Sequence, residues 1–306
     1  MGRYVLRRLV IAVPVLLGVS IAVFLMVQLV PGDPATVLAG DTASAEQVER
    51  IRHDLGLDQP LPTQYLRFLE RLARGSLGES TRTHRDVLVE IADRFPYSLA
   101  LALLAVTLST LIGIVLGILA AINRGRLADH LTMGVAIAGL SVPTFLLALL
   151  GIMAFALGLH WLPVTGARSW QSFILPTVAL SLHSAAVKAR ITRSSMLEVL
   201  GQDYLRTARA KGLGERPVVL RHALKNALIP VTTIVGLQFG SLLGGAFIIE
   251  TIFGWPGVGR LAVQAILNRD FPVVQGTVLL VAVAYVLSNL VVDVLYAWLD
   301  PRIRYG

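Results

Sequence analysis

Six runs of this 306-residue chain are apolar and almost free of charge, and no other feature restricts its fold as much. A helix that crosses a bilayer needs about 20 mostly apolar residues, because in hydrocarbon each backbone N–H and C=O must find its partner within its own segment. The runs cover residues 9–30, 97–122, 131–159, 173–189, 229–249 and 273–298. The expected fold is all-α, a polytopic membrane protein with about six transmembrane helices. Composition agrees. The chain is 55% hydrophobic and 15% charged, with a mean hydropathy of +0.70, whereas a soluble domain carries about 25% charged residues. The first run follows Arg3, Arg7 and Arg8 as a signal peptide would. Its length, and the absence of a small-residue cleavage site around Val30-Pro31-Gly32-Asp33, favour an uncleaved first span.

Basic residues orient the spans. The formal net charge is +8, and cytoplasmic loops of membrane proteins carry the Lys/Arg excess. Arg3, Arg7, Arg8, Arg124, Arg126, the cluster from Lys188 to Lys225, Arg302 and Arg304 all fall on one side. That side is expected to be the cytoplasm, with both termini in it. The basic residues flank apolar runs and form no aromatic-interleaved patch, so no nucleic-acid partner is expected; the partner surface is the lipid bilayer.

Three regions follow: residues 1–30, holding the N-terminal end and first span; an extracytoplasmic segment over 31–96; and a five-helix core over 97–306 that contains a cytoplasmic loop at 191–228. The segment 31–96 reads as a small helical cap. Ser44 and Gln47 have the spacing of a capping box, predicting a helix to Leu55 with Gly56 as its left-handed stop. A second helix is expected from Pro62 to near Gly75, and a third over residues 86–95 leading into the second span.

Reactive constellations are missing. The chain has no cysteine, and its six histidines show no i, i+4 pair, so no metal site is expected. It has no G-x-x-x-x-G-K-[ST] loop to cradle ATP phosphates, no H-E-x-x-H motif and no nucleophile elbow. No catalytic residue and no cofactor bound by this chain are expected.

Three features stand out. Gly113 and Gly117, and Gly236, Gly240 and Gly244, repeat every four residues, a spacing that lets helix backbones approach closely. Packing within the chain and a subunit interface fit equally. Ser141, Pro143, His183, Gln238, Asn289 and Asp293 interrupt apolar runs. Polar groups at membrane depth are costly and face a cavity or a partner, so these six are pathway candidates. His183 is expected to face other helices, and Pro143 to break the helix it enters. Third, Asp203–Lys211 reads as a short helix: Asp203 suits its N-terminus, Arg209 and Lys211 its C-terminus, and Gly212 its stop. Tyr204, Thr207, Ala208 and Ala210 add small or flat surface suited to a groove on a partner.

The stretch 189–212, ARITRSSMLEVLGQDYLRTARAKG, resembles the signature loop of permease subunits in dipeptide, oligopeptide and nickel ATP-binding-cassette importers. Further matches are PGDPA (31–35), LGLDQPL (55–61), SVPTF (141–145), ILPTVALS (174–181), RHALKNALIP (221–230), ETIFGWPGVGRL (250–261), RDFPVVQG (269–276) and LDPRIRY (299–305). Where the wider superfamily has E-A-A-x-x-x-G, this chain has Arg206-Thr207-Ala208 and, last, Gly212. The Glu is absent, as in the peptide/nickel branch.

The resemblance implies a type I importer permease fold. It implies that residues 203–212, Arg206 among them, form the helix that docks on an ATPase. The implied partners are a second homologous permease, two ATP-binding ATPase subunits that hold ATP and magnesium, and an external solute-binding protein. The implied cargo is di- or oligopeptide, with a nickel chelate as the alternative. A gradient-driven transporter is the reading from a different class; it needs no such loop.

Overall fold

The structure is a computed structural model that describes residues 2–29, 35–36, 43–54 and 56–299. The family-like stretches at 31–34 and 300–305 lie outside them. Among the described residues the regular structure is helical, apart from one bridge between Glu79 and Asp86.

The first span is α1 (Gly2–Leu29). The cap helices α2 (Ala45–Asp54) and α3 (Leu61–Ala73) follow. At the start of α2 the Ser44 N–H donates to Gln47 Oε1 at 2.9 Å, and the Gln47 N–H donates to Ser44 Oγ at 3.3 Å. Gly56 and Gly75 take positive φ values of 67° and 75° beyond the two helices. Next come α4 (Val87–Ile122), α5 (Leu127–Ser141) and α6 (Thr144–Gly151), which runs on as a π-helix over Ile152–Gly158. Beyond them are α7 (Ile174–Leu200) and the short α8 (Asp203–Ala210). A helical lead over Glu215–Pro217 and Val218–Ala223 enters α9 (Leu224–Gly245). The chain closes with α10 (Phe247–Ile252), α11 (Val258–Leu267) and α12 (Phe271–Leu299).

Among the described residues five helices are long and apolar enough to cross a membrane, and α5 with α6 makes a sixth if the two arms form one span. That pair is bent by 99°. The run 131–159 is therefore not one straight helix. Pro143 lacks an N–H and pushes its predecessor out of the α region; Val142 is extended at φ −91°, ψ 123°, and Pro143 sits at φ −58°, ψ 139°.

Two other elements extend past their expected limits. The helix expected over 86–95 and the second span form one 36-residue helix, α4, roughly 54 Å long at about 1.5 Å per residue. Asp86 caps it, accepting from the N–H groups of Leu88 at 2.7 Å and Val89 at 3.3 Å. Pro96 lies inside without ending it. The fourth run, expected to stop at 189, continues helical to Leu200. Hydropathy falls there, but no glycine or proline intervenes before Gly201, so helical hydrogen bonding outlasts the apolar run. Much of the expected 191–228 loop is consequently helix.

The centre of the fold is α4 against α7. The approach is close because Gly113 and Gly117 present no side chain. A Cβ on Gly113 would lie 2.5 Å from Lys188 Cβ and 3.0 Å from Ala185 O, and one on Gly117 would meet Thr192 and the carbonyl of Ala189. Gly236, Gly240 and Gly244 of α9 face Val292, Tyr285 and Val281 of α12 in the same way. Both glycine stripes serve contacts inside this chain. Outward-facing Leu103, Leu111, Val115, Val135 and Ile137 are exposed, as a lipid-facing surface requires.

Candidate functional site

The short α8 stands on one buried anchor. Leu205 is fully buried in a cluster with Ala121, Met196, Val218, Val219, Ala223 and Ala227, and Ala208 packs against its edge. Asp203, Tyr204, Arg206, Thr207, Arg209, Ala210, Lys211 and Gly212 are exposed. One face of an eight-residue helix is thus held by the membrane domain and the other is open.

Local chemistry fixes the helix ends. Thr207 Oγ1 donates to the Asp203 carbonyl at 3.1 Å, and Arg206 lies 3.5 Å from Asp203 Oδ1. At the C-terminus the Gly212 N–H donates to Arg209 O at 2.9 Å and the Leu213 N–H to Ala208 O at 3.3 Å. Together these form a Schellman motif, which needs a left-handed residue at its turn; Gly212 has φ +82°. Arg209 donates from Nε to Glu215 Oε1 at 2.7 Å and from Nη2 to Glu215 Oε2 at 3.4 Å, tying α8 to the lead of α9. The Glu215 carboxylate raises the Arg209 pKa further above its ordinary value. Asn226 Nδ2 donates to the Tyr204 hydroxyl at 2.8 Å. The exposed side chains offer a basic, small-residue surface.

The pathway candidates are spread over α5, α7, α9 and α12, with Pro143 at the bend between α5 and α6. Ser141 and Pro143 are exposed at the bend, where Ser141 Oγ donates back to Ile137 O at 3.1 Å. His183 is exposed and does not face the other helices of this chain. The packed side of α7 carries Ser181, Ser184, Ala185 and Lys188, small residues apart from the lysine, and the imidazole lies off it. Gln238 Oε1 and Asn289 Oδ1 are buried with no donor in reach. Gln238, two residues past Gly236, lies on the opposite side of α9 from the α12 contact by helical periodicity. The Asp293 side chain lies outside the described residues.

Three polar constellations escaped the sequence reading. Asp129 of α5 and Arg193 of α7 form a two-point ion pair. Buried Lys188 donates from Nζ to Ser109 Oγ at 2.6 Å. Glu250 is buried beneath the turn from Phe253 to Gly257: Ser98 Oγ donates to its Oε1 at 2.6 Å and the Arg260 N–H to its Oε2 at 2.9 Å. The Val258 N–H donates to Ser98 Oγ at 2.9 Å. A Cβ at Gly257 or Gly259 would run into the carboxylate, so the GWPGVG segment wraps it by backbone alone. Trp255, fully buried, meets Phe173 edge-on at 4.5 Å. Glycines flanking a lone Glu were the one available sign.

Fold and site together define a multi-pass membrane permease. The chain belongs to the family of binding-protein-dependent transport system inner membrane components: that family's profile matches residues 113–305, and the profile of its N-terminal region matches residues 1–102. Similar relatives include the glutathione transport system permease protein GsiC of Escherichia coli strain K12, 48% identical, and that of Salmonella paratyphi A, 49% identical; each match covers 305 residues and 100% of both chains. Among solved structures, the inward-facing MetNI methionine ABC transporter matches with a TM-score of 0.56 at 16% identity, over 70% of this chain and 97% of that one. An amino acid ABC transporter with histidines matches with a TM-score of 0.52 at 20% identity, over 70% and 94%. The fold is that of ABC importer permeases, and the chain is an importer permease subunit of the inner membrane.

Proposed function

We propose that this subunit forms the translocation pathway for small peptides, which an external solute-binding protein delivers and separate ATPase subunits drive. Within this reading both termini and α8 face the cytoplasm. The segment 43–86 faces outward, and a second homologous permease completes the pathway. ATP and magnesium belong to the ATPases.

The observation that carries the proposal is α8: one buried anchor, a capped end and an open face in a chain with no nucleotide loop. Its exposed residues Asp203, Tyr204, Arg206, Thr207, Arg209, Ala210, Lys211 and Gly212, with Ala208 at the edge, form the ATPase-docking surface. The peptide class is supported by the relatives' glutathione transport, glutathione being peptide-like. A channel driven by an ion gradient has no use for such a surface.

The test is co-purification of the tagged chain from mild detergent with its native neighbours present. ATPase chains and a second six-span permease are expected with it. Recovery of stable chain alone would overturn the reading. Uptake should respond to a binding protein loaded with glutathione or a short peptide; a response only to nickel-loaded binding protein would overturn the peptide assignment.

A further inference from the structure

A cavity of about 390 Å³ opens between α1, α3 and the start of α12, far from α8. Phe24 and Phe68 form its floor, 5.9 Å apart, and Ser20 Oγ and the Tyr65 hydroxyl, 2.8 Å apart, fasten α3 to α1 beside it. Arg67, Glu70, Arg71 and Arg74 line it. Arg74 reaches Glu70 at 2.5 Å. Arg67 and Arg71 have no carboxylate within ion-pair distance among the described residues, and three guanidiniums against one carboxylate leave the cavity doubly positive. Arg67 lies over Gly56, whose missing side chain makes room for it.

Its level identifies the anion. The apolar window of α1 ends at Met26, and Gln28, one half-turn further, lines the cavity while donating to Gln64 Oε1 at 3.0 Å. The cavity is therefore level with the edge of the hydrocarbon, where phospholipid phosphates lie. The arginine-bearing helix, α3, exposes Leu61 and Leu66, at 49% and 65%. Cations and exposed leucines on one short helix are the marks of an element lying in the membrane interface. A free anion would gain from the guanidiniums but not from the aromatic floor or the leucines.

We propose that this cavity binds the phosphate headgroup of an anionic phospholipid, with Arg67 and Arg71 as its ligands. The lipid fastens the cap helices to the bilayer at the end of α1.

Native mass spectrometry of the whole chain in mild detergent, titrated with phosphatidylglycerol, tests this. A single retained lipid is expected. Arg67→Gln with Arg71→Gln should weaken retention roughly thirtyfold, from the loss of two surface cations. Glu70→Gln, which frees Arg74, should strengthen it, and a gain cannot come from misfolding. Equal retention by all three proteins would overturn the site. Displacement of the lipid by inorganic phosphate, bound as tightly on its own, would overturn the lipid as its occupant.

Discussion

Arg193 grips Asp129 with two parallel hydrogen bonds, Nε to Oδ1 at 2.6 Å and Nη2 to Oδ2 at 2.7 Å, while the Gly125 N–H donates to Oδ2 at 3.0 Å. This joins the start of α5 to the last turns of α7. A planar fork on a carboxylate fixes orientation as well as distance. Asp129→Ala should lower the melting temperature in detergent. Arg193→Lys should retain only part of the stability because ammonium cannot bind both oxygens. The exchange Asp129→Arg with Arg193→Asp should recover stability relative to either single change; no recovery would mean the pair contributes by packing alone.

Gly113 and Gly117 should tolerate nothing larger. Their added Cβ atoms meet α7 backbone, and overpacking of this kind costs about 1–3 kcal/mol. Gly134 of α5 has open space around it, so Gly134→Ala should be neutral or raise stability by up to about 1 kcal/mol through helix propensity. Thermal unfolding of Gly113→Ala, Gly117→Ala and Gly134→Ala side by side reads the contrast. Equal stability of all three would contradict the close α4–α7 contact.

Glu250 should leave a mark on the pH dependence of stability. Burial pushes its carboxyl above the ordinary value of 4.5, and the Ser98 hydroxyl and the Arg260 and Gly259 N–H groups counter that in part. A raised folded-state value means protons are held more tightly in the fold than in the unfolded chain. The contribution is complete below about 4.5 and is lost as pH rises through the raised value. Glu250→Gln can turn its oxygen to the Arg260 N–H and its amide to Ser98. Its melting temperature should fall less than that of the parent between pH 4.5 and neutrality. Parallel curves would show that Glu250 does not titrate in this window.

Gly212 separates folding from coupling. Its φ of +82° costs a side-chain-bearing residue about 1–2 kcal/mol, yet no atom lies within 4 Å of an added Cβ. Gly212→Ala should cost that strain and little else. Gly212→Glu should leave a folded permease whose ATP-dependent uptake is lost, since the new carboxylate projects from the open face of α8. Normal uptake by Gly212→Glu would count against the docking surface.

The spans and α8 were legible because their signals are local. Twenty apolar residues, a Ser-x-x-Gln box, and a glycine after Arg209 and Lys211 act within a few turns. The bend at Pro143 was visible as a break, but its angle depends on what α5 and α6 pack against. The reach of α7 to Leu200 was missed because hydropathy reports the lipid boundary, whereas a helix ends only where its hydrogen bonding is interrupted. Ser98 and Glu250 stand 152 positions apart, Asp129 and Arg193 stand 64 apart, and no periodicity links residues at such distances. His183 shows a related limit: a polar residue in an apolar run announces that it needs company, and not from which side.

The cluster beneath Leu205 has a mechanical meaning. Ala121 belongs to the foot of α4, Met196 to the foot of α7, Ala227 to the foot of α9 and Ala223 to the lead that enters it. A packed interior resists compression, so a push on α8 cannot be absorbed where it is applied. Three membrane helices receive it at once, through a single joint with almost no play, and the short helix serves as the handle of a lever whose load is the membrane domain.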